Sequence, residues 1–471
     1  MDVFVDPTDR RGLSAQLYGQ LRDAIVDGRL VAGDQLTPSR QLALDLGVSR
    51  FTVTEAYGRL AAEGFVDGQA GGGSIVAGTG ARPTTTSRSS ALVPLARAAE
   101  LARFDRYPLR TTTFDLRPGR VDPKLFPADT WRRCMVGASR QPPAQYSDPA
   151  GTIELREALA RWVGRSRGVM TSGEGVVVTS GAQHGMDLLM RVLVEPGDVV
   201  AVEDPGYPPV AELFRFNGAR VVAVPVDEHG LVVDALPPTA RLVYVTPSHQ
   251  YPLGVTMSYR RRTELLRWAD ERNAAVIEDD YDSEFRHDAR PLEPLHRLDT
   301  DGRVLYVGTF SKTLLPSLRV GFVVAPPPVA RAMTALRQMI DWCPPTTTEA
   351  ALTDFVDNGH LDRHIRRARR VYRDRSQRLQ HALGERLSVP SRVLPSSVGL
   401  HLTVLLESGP DDLVQVIARH GLLIGSLRAS YRSVPPSHGF IVGFGALPTD
   451  DIDAAVDALD QALVAACRGS G

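Results

Sequence analysis

Two spacings of apolar residues divide the chain into a short first region and a long second one. Near the beginning, apolar residues recur every three or four positions, from Leu13 through Leu17 and Leu21 to Ile25, which is the spacing of one face of an α-helix. After about residue 114, short apolar runs alternate with stretches of helical spacing. This alternation predicts a mostly parallel α/β sheet, whose binding groups lie at the carboxyl ends of the strands.

The first region contains three predicted helices, of which the second and third form a helix-turn-helix. Gly28 ends the first helix, residues 41–46 form a short second helix that Gly47 ends, and Ser49 begins a third helix that reaches about Glu63. Serine is a good N-cap, and two short helices joined by a glycine-containing turn are typical of the motif. Two predicted strands follow, 64–67 and 71–76, with a glycine-rich tip between them. The inward face of the third helix consists of Val53, Ala56, Tyr57 and Leu60.

The second region follows the α/β pattern as far as about residue 345, where a smaller α+β part is predicted to begin. Residues 363–380 within that part are strongly charged and most simply form a solvent-exposed helix face. The predicted strands are 175–179, 199–203, 221–225, 241–246, 274–278 and 304–308, and the predicted helices are 184–193, 209–217 and 260–272.

The segment between the two regions is small, polar and without periodicity, which is typical of a flexible linker. Residues 79–113 carry six arginines and two acids, and a short helix is possible within 91–110. The predicted domains are therefore a small helical module at 1–78, a linker at 79–113 and a large domain at 114–471.

Composition limits the classes of protein that the chain can belong to. Its 471 residues allow two or three domains, and the net charge of −1 favours no particular polyanionic partner. Cys134, Cys343 and Cys467 are few, odd in number and widely spaced, without the paired spacing of metal ligands, which indicates a reducing cytoplasm and no disulfide framework. No apolar run approaches the roughly 18 residues of a membrane span, and the N-terminus lacks the basic segment of a signal peptide. A cytoplasmic protein is expected.

The charge of the first region argues against nucleic-acid binding. Residues 1–80 contain seven arginines and no lysine against ten acidic residues, whereas modules that bind nucleic acid are usually basic. A plain three-helix bundle that binds nothing is the alternative interpretation of this region.

The residues around Lys312 are the strongest chemical signal of the chain. A strand-like run breaks at a cluster of Thr and Ser, presents Lys312, and reaches Arg319 seven residues later, while an upstream run ends in carboxylates that include Asp279. These parts can hold pyridoxal phosphate (PLP): the lysine forms the Schiff base, and the carboxylate keeps the pyridine nitrogen protonated. Hydroxyls and an arginine can neutralise the phosphate. Each residue alone is more often a surface charge or a helix cap, so the combination carries the prediction.

The sequences of three segments resemble those of a known family. Residues 277–285 read Ile-Glu-Asp-Asp-Tyr-Asp-Ser-Glu-Phe, residues 308–319 read Gly-Thr-Phe-Ser-Lys-Thr-Leu-Leu-Pro-Ser-Leu-Arg, and both resemble the aminotransferase-like half of MocR-type regulators of the GntR superfamily. Within 36–65, Leu-Thr-Pro-Ser-Arg, Leu-Gly-Val-Ser-Arg-x-Thr-Val and Leu-x-x-Glu-Gly-Phe resemble the GntR winged helix. The resemblance implies a winged helix-turn-helix joined to a PLP-dependent fold type I aminotransferase-like domain, which comprises a large α/β part and a small α+β C-terminal part.

The resemblance also implies site residues by position. Double-stranded DNA with two half-sites would be bound by a homodimer, arranged head-to-tail, through Arg40, Ser49, Arg50, Thr52, Thr54, Gly71 and Gly72. The cofactor would be held by Lys312 as an aldimine, Asp279 at the ring nitrogen, Tyr281 at the phenolic oxygen, Tyr207 stacked on the ring, and Ser180, Gly181, Ala182, Thr309, Ser311 and Arg319 at the phosphate. A glycine turn that opens a helix, as at 179–184, suits a phosphate.

The positions expected to bind an effector depart from the family pattern. Tyr431, beside Arg428 and Arg432, stands where family members place a carboxylate-binding arginine, and Pro208 or Pro209 replaces a second such arginine. Tyr431 and Arg432, together with His249 and Gln250 of a loop that lacks the usual asparagine, are the expected effector-binding residues.

The predicted function is a PLP-dependent transcriptional regulator that senses an amine, an amino compound or PLP itself, with at most residual transaminase activity. The alternative is a working aminotransferase with an accessory DNA-binding module. A regulator that has lost its cofactor is disfavoured, because every expected ligand type is present.

Overall fold

The computed structural model describes residues 5–6, 12–69, 73–77, 112–140, 145–286 and 293–468. The chain divides into two compact units, Met1–Asp105 and Arg106–Gly471, and each has its own hydrophobic core. The predicted linker at 79–113, except for its last two residues, and the wing residues Gly71 and Gly72 lie outside the described residues. No described helix is long and apolar enough to cross a bilayer.

The first unit is a winged helix, as predicted. Three helices precede a two-stranded antiparallel sheet, in which Val66 pairs with Val76. Leu17, Leu21, Val53 and Leu60 are fully buried in its core, because their helical spacing places them on the faces that meet. Its elements are α1 (Leu13–Val26), α2 (Ser39–Leu46), α3 (Arg50–Ala62), β1 (Val66–Gln69) and β2 (Gly73–Val76).

The second unit is built around an eight-stranded sheet with helices on its faces. From one edge to the other, the strands are ordered β4-β11-β10-β9-β8-β5-β6-β7. Neighbours from β10 to β6 are parallel, whereas β11 runs antiparallel to both β10 and β4. The strands are β4 (Val176–Thr179), β5 (Val199–Asp204), β6 (Arg220–Asp227), β7 (Gly230–Leu231), β8 (Ala240–Val245), β9 (Ala275–Asp280), β10 (Val304–Thr309) and β11 (Gly321–Val324), counted after β3 (Phe114–Asp115).

A second, smaller sheet forms the α+β part. Its four antiparallel strands are ordered β12-β13-β16-β15, and β14 pairs in parallel with β3 in a separate ladder. The sequence predicts a small α+β part that begins at about residue 345. The structure adds residues near 114 to this part. Its strands are β12 (Ser391–Val393), β13 (His401–Leu406), β14 (Leu422–Leu423), β15 (Gly425–Ser426) and β16 (His438–Gly443).

The helices of the second unit cover both sheets. They are α4 (Ala128–Ser139), α5 (Ile153–Arg167), α6 (Ala182–Leu193), α7 (Pro208–Phe216), α8 (Tyr259–Glu271), α9 (Leu295–Leu298), α10 (Phe310–Thr313), α11 (Pro327–Ile340), α12 (Thr346–Asp357), α13 (His360–Arg386), α14 (Leu413–Arg419) and α15 (Ile452–Arg468). The strands of the large sheet from β8 to β11 are buried almost throughout, so polar groups at their carboxyl ends stand out as functional candidates.

Candidate functional site

Lys312 lies in α10, immediately after the carboxyl end of β10. The Thr309 hydroxyl accepts a hydrogen bond from the Ser311 backbone N–H at 3.2 Å, which turns the chain sharply at the strand end. The Lys312 Nζ donates to the Gly119 carbonyl oxygen at 2.9 Å. Burial lowers the pKa of Lys312, while Asp282 and Asp279 act in the opposite direction. A lysine with a lowered pKa is more often a neutral amine, which is the form that attacks a carbonyl carbon.

Asp279 lies at the end of β9, the parallel neighbour of β10. The register pairs Asp279 with Val307, so the carboxylate and Lys312 belong to adjacent strand ends. The Tyr244 hydroxyl donates to Asp279 Oδ2 at 2.7 Å, whereas Oδ1 is buried and has no hydrogen-bond partner among the described residues. Burial raises the pKa of Asp279 to about 7. A buried, unpaired carboxylate oxygen is costly, and a protonated ring nitrogen is a partner that would satisfy it.

Three adjacent strand ends form a cradle suited to a phosphate. Gly181 precedes α6 with φ of 89°, and a Cβ built there would lie 2.9 Å from Arg319 Nη2. The Arg319 Nη2 in turn donates to the Ser180 carbonyl oxygen at 2.6 Å. Because Gly321 pairs with both Thr309 and Thr179, the Thr309 and Ser311 hydroxyls, which lie 3.1 Å apart, belong to the same end of the sheet as the N-terminus of α6. The described residues therefore fit the predicted cofactor at its phosphate end and at its ring nitrogen.

Tyr281 is held by His249. Its hydroxyl donates to the His249 carbonyl oxygen at 2.9 Å and lies 3.0 Å from His249 Nδ1. The same Nδ1 lies 2.9 Å from Asp282 Oδ1, and the His249 and His401 rings are tilted at 35° to each other with centroids 4.8 Å apart. Asp282 and His401, the other two members of this buried cluster, were not expected from the sequence. The His249–Asp282 pair therefore fixes the position of the Tyr281 hydroxyl.

A cavity of about 280 Å³ lies beside Tyr244 and Tyr207. Tyr431 and Arg432 form part of its wall, as does Glu203. The pKa of Glu203 is raised to about 7, mainly because it is fully buried. Since Tyr244 also binds Asp279, the cavity borders the predicted cofactor position.

The charges in the wall of this cavity do not leave a free cation. Arg432 Nη1 donates to Glu212 Oε1 at 2.8 Å, and Glu212 also lines the cavity. Arg428 lies 3.4 Å from Asp411 and outside the lining. Among the described residues, the wall thus combines two carboxylates with one arginine that is already paired.

Two of the predicted effector-binding residues lie away from this wall. His249 and Gln250 are each only 1% exposed. Gln250 Nε2 donates to the Pro205 carbonyl oxygen at 2.8 Å, which ties the loop to the segment before Tyr207. The His249 side chain therefore positions Tyr281, and the Gln250 side chain positions the segment before Tyr207.

Sequence reasoning missed three residues that contact, or act electrostatically on, the predicted ligands of the cofactor. Tyr244 sits in an apolar strand, where its hydroxyl was the only signal of a polar role. Asp282 follows the recognised carboxylates by two residues. Its charge raises the pKa of Lys312, and only folding brings the two groups close enough for this effect. Gly119 lies 193 residues from Lys312, and nothing in the spacing connects them.

The DNA-binding residues predicted in the first unit cluster at the start of two helices. The Ser49 side chain caps α3 by accepting a hydrogen bond from the Thr52 N–H at 3.1 Å, while the Thr54 hydroxyl donates to the Arg50 carbonyl oxygen at 2.9 Å. Arg40 and Arg50 are exposed at the starts of α2 and α3. Both lack an ion-pair partner among the described residues.

The other described arginines of this unit, Arg22, Arg29 and Arg59, pair with Asp23, Asp27 and Glu63. Arg40 and Arg50 are therefore the two arginines without an ion-pair partner among the described residues of this unit, and their contact with DNA stays a prediction.

Known proteins resemble the chain over nearly its whole length. Residues 13–76 match the gntR family of bacterial regulatory proteins, and residues 124–459 match the aminotransferase class I and II family. The chain is 35% identical to the probable rhizopine catabolism regulatory protein MocR of Rhizobium meliloti, over 96% of this chain and 93% of that protein. It is 34% identical to the pyridoxine biosynthesis transcriptional regulator PdxR of Corynebacterium glutamicum, over 96% of each.

Solved structures match the second unit. The kynurenine aminotransferase of Pyrococcus horikoshii superposes with a TM-score of 0.71 at 28% identity, covering 81% of this chain and 97% of that chain. An aminotransferase fold of this class implies PLP as the cofactor. Taken with the winged helix, these matches confirm the predicted architecture, and the chain belongs to the MocR-type transcriptional regulators of the GntR family, which join an operator-binding winged helix to an aminotransferase-like domain.

Proposed function

We propose that the chain regulates transcription through PLP attached covalently to Lys312, and that it senses a small amine-bearing effector or PLP itself. The observation that carries the proposal is the unpaired, buried Oδ1 of Asp279 beside the strand that presents Lys312. Without a cofactor, this arrangement would leave a buried carboxylate oxygen unsatisfied, which destabilises the fold.

Each predicted ligand has a role that its position supports. Asp279 would pair the ring nitrogen, Tyr207 would stack on the ring, and Tyr281 would contact the phenolic oxygen. Bound PLP supplies an aldehyde that bonds an amine and a ring that withdraws electrons. The phosphate would be held at the N-terminus of α6 by Ser180 and by the backbone N–H groups of Gly181 and Ala182. The side chains of Thr309, Ser311 and Arg319 would complete its site.

The effector binds in the cavity that Tyr431 and Arg432 line. Because Arg432 is already paired with Glu212, the wall is poorly suited to a free carboxylate, and an ordinary α- or γ-amino acid is disfavoured. An amine without a carboxylate, or PLP acting as the sensed molecule, fits this wall better. His249 and Gln250 contribute by positioning Tyr281 and the loop before Tyr207.

Effector binding changes DNA binding by shifting the population of two arrangements of the large domain. The protein acts as a cytoplasmic homodimer, arranged head-to-tail, with a DNA-binding module at 1–78, a linker at 79–113 and a sensing domain at 114–471. A change in the distance between the two winged helices alters affinity for an operator with two half-sites.

The composition of the chain makes the covalent attachment easy to test. Lysine occurs only twice, at Lys124 and Lys312, and Lys124 is exposed. Purified protein incubated with PLP and reduced with borohydride should gain one pyridoxyl group, located by peptide mass spectrometry at Lys312. Lys312→Ala should lose both the group and the effector response in a reporter assay, whereas Lys124→Ala should keep both. A full effector response in Lys312→Ala would overturn covalent sensing.

An active aminotransferase is the second possible function, because the likeness to the Pyrococcus kynurenine aminotransferase covers 81% of the chain. Steady-state transamination with a panel of amino donors separates the two functions. Turnover at the usual enzyme rates of about 1 per second or more would favour the enzyme.

A further inference from the structure

Helix α13 carries an unusual excess of positive charge. Its 27 residues include nine arginines and three acidic residues. Several of the arginines bind protein groups: Arg369 donates to the Glu284 carbonyl oxygen, Arg375 pairs with Asp122, Arg378 with Asp453, and Arg386 with Asp457. These contacts hold the helix in place and account for four of its nine arginines. A fifth, Arg373, is half-buried, and its Nε has no hydrogen-bond partner among the described residues.

The remaining arginines gather on the opposite face. Arg366, Arg367 and Arg370 are exposed and make no ion pair or hydrogen bond with a side chain or backbone group among the described residues. Arg363 precedes them by one turn, and its Nη2 donates to the Asn358 carbonyl oxygen at 3.0 Å. At a rise of about 1.5 Å per residue, these four guanidinium groups, here called the outer basic face, span roughly 10 Å of the helix.

Positive charge continues from this face onto α4. A small cavity of about 150 Å³ is lined by Leu125, Pro127, Thr130, His360, Arg363, His364 and Arg367, with no acidic side chain among them. Arg133 of α4 donates to Thr130 at 3.0 Å. Burial lowers the pKa of His360, and the charges of Arg363 and Arg133 lower it further, against an opposite effect of Asp354.

A solvent-exposed face normally mixes the two signs of charge, and this one does not until Asp374. Like charges one turn apart destabilise a helix by a few tenths of a kcal/mol per pair, so an unneutralised row is unfavourable unless something binds it. Arginine matches phosphate geometry with two parallel hydrogen bonds.

The first unit gives a reason for phosphate binding elsewhere in the chain. Residues 1–80 are net acidic, and only Arg40 and Arg50 among the described arginines of that unit lack an acidic partner. A protein of an operator-binding family with so little positive charge on its winged helix gains affinity from a second basic surface. We propose that the outer basic face binds the phosphate backbone of duplex DNA, independently of base sequence and of the cofactor.

The salt dependence of binding measures this contact. Each neutralised phosphate contributes about −0.9 to the slope of log K against log salt. Replacing Arg366, Arg367 and Arg370 with Gln keeps the aliphatic stems and good helix propensity. The triple variant should bind duplex DNA about tenfold or more weakly at low salt, with a slope reduced in magnitude by about two to three.

The experiment uses the full chain and a fluorescent random-sequence duplex of about 60 base pairs, titrated by anisotropy at several salt concentrations. The matched control is R165Q/R272Q/R331Q, which removes three exposed arginines outside α13 and the same total charge. Loss in the first triple variant alone supports the proposal. An equal loss in both variants, or no loss in either, overturns it.

Two further measurements keep the test decisive. Sedimentation of R366Q/R367Q/R370Q must give the oligomeric state of the unaltered protein, because a changed state would mean that a second copy of the chain covers this face. D374N removes the exposed acid that ends the face and should tighten DNA binding about two- to threefold without disturbing folding. Unchanged or weaker binding by D374N contradicts the proposal even if the triple variant does not fold.

Discussion

Tyr244 donates a hydrogen bond of 2.7 Å to Oδ2 of Asp279 and thereby leaves Oδ1 as the oxygen that is free to receive a ligand. The bond also opposes the rise in the pKa of Asp279 that burial causes. Tyr244 thus helps to keep the carboxylate ionised and fixes its orientation, although it need not touch the cofactor's reactive atoms.

The first prediction concerns this pair. Tyr244→Phe removes one hydrogen bond to a charged group, which is worth about 1.5 to 3 kcal/mol, and we expect PLP to bind roughly tenfold or more weakly. The measurement is an absorbance titration with PLP. Tyr259→Phe, at an exposed tyrosine of α8, is the control and should bind PLP normally. Normal binding by Tyr244→Phe would mean that Asp279 needs no orienting partner.

The second prediction concerns pH. Burial raises the pKa of Asp279 and Glu203 to about 7, whereas unfolded carboxyl groups titrate near 4. The folded protein therefore holds more protons between these values. The contribution of these groups to stability is fully present below about pH 4 and is lost as the pH rises through about 7.

We accordingly expect the thermal unfolding temperature (Tm) of the PLP-free protein to decrease as the pH is raised from about 5.5 to about 8. The Asp279→Asn variant cannot ionise at this position. Its unfolding temperature should therefore decrease less over the same pH range, and the difference is the contribution of Asp279. Calorimetry of both proteins across this range is the measurement. An identical pH dependence would show that Asp279 titrates normally.

The third prediction concerns the turn before α6. Gly181→Ala puts a side chain at φ of 89°, at a cost of about 1 to 2 kcal/mol, and directs a methyl group at the Arg319 guanidinium. We expect weaker binding of PLP, with little change for pyridoxal, which lacks the phosphate. Gly197→Ala is the matched control, because Gly197 has φ of 96° and no atom within 4 Å of a built Cβ. If both variants bind PLP equally well, Gly181 is needed only for the turn.

The fourth prediction concerns the N-cap of α3. Ser49→Ala removes the acceptor for the Thr52 N–H and should destabilise the winged helix by about 1 kcal/mol. DNA binding should weaken as well, because Arg50 and Thr52 sit in the turn that Ser49 orders. Ser49→Asn keeps a capping acceptor, so it should retain the stability. The measurements are thermal unfolding by circular dichroism and DNA anisotropy, and equal stability of the two variants would argue against a capping role.

The adjacency of Lys312 and Asp279 was predictable from the sequence, whereas their partners were not. Both residues follow apolar runs, and neighbouring parallel strands bring such ends together, as the pairing of Asp279 with Val307 bears out. Tyr244 looked like one more apolar residue of a buried strand. Gly119 approaches Lys312 only because the chain returns to the sheet after a long path, which no local pattern encodes.

The helices of the first unit agree closely with their predicted bounds, since caps and glycines mark their ends locally. The extent of the small α+β part was harder to predict. Phe114 and Asp115 join Leu422 and Leu423 in one ladder, and a two-residue strand leaves too short a pattern to detect. Long-range pairing of short segments is information that the tertiary structure holds.

A single connection between β10 and β11 carries both Lys312 and Arg319, and it begins and ends on paired residues, Thr309 and Gly321. Its length therefore limits the distance between the Lys312 amine and the Arg319 guanidinium. Only a molecule whose aldehyde and anionic ends match that separation can occupy both at once. Lengthening this connection by one residue should change which vitamin-derived compounds are accepted, while insertions in exposed loops elsewhere should leave that choice unaltered.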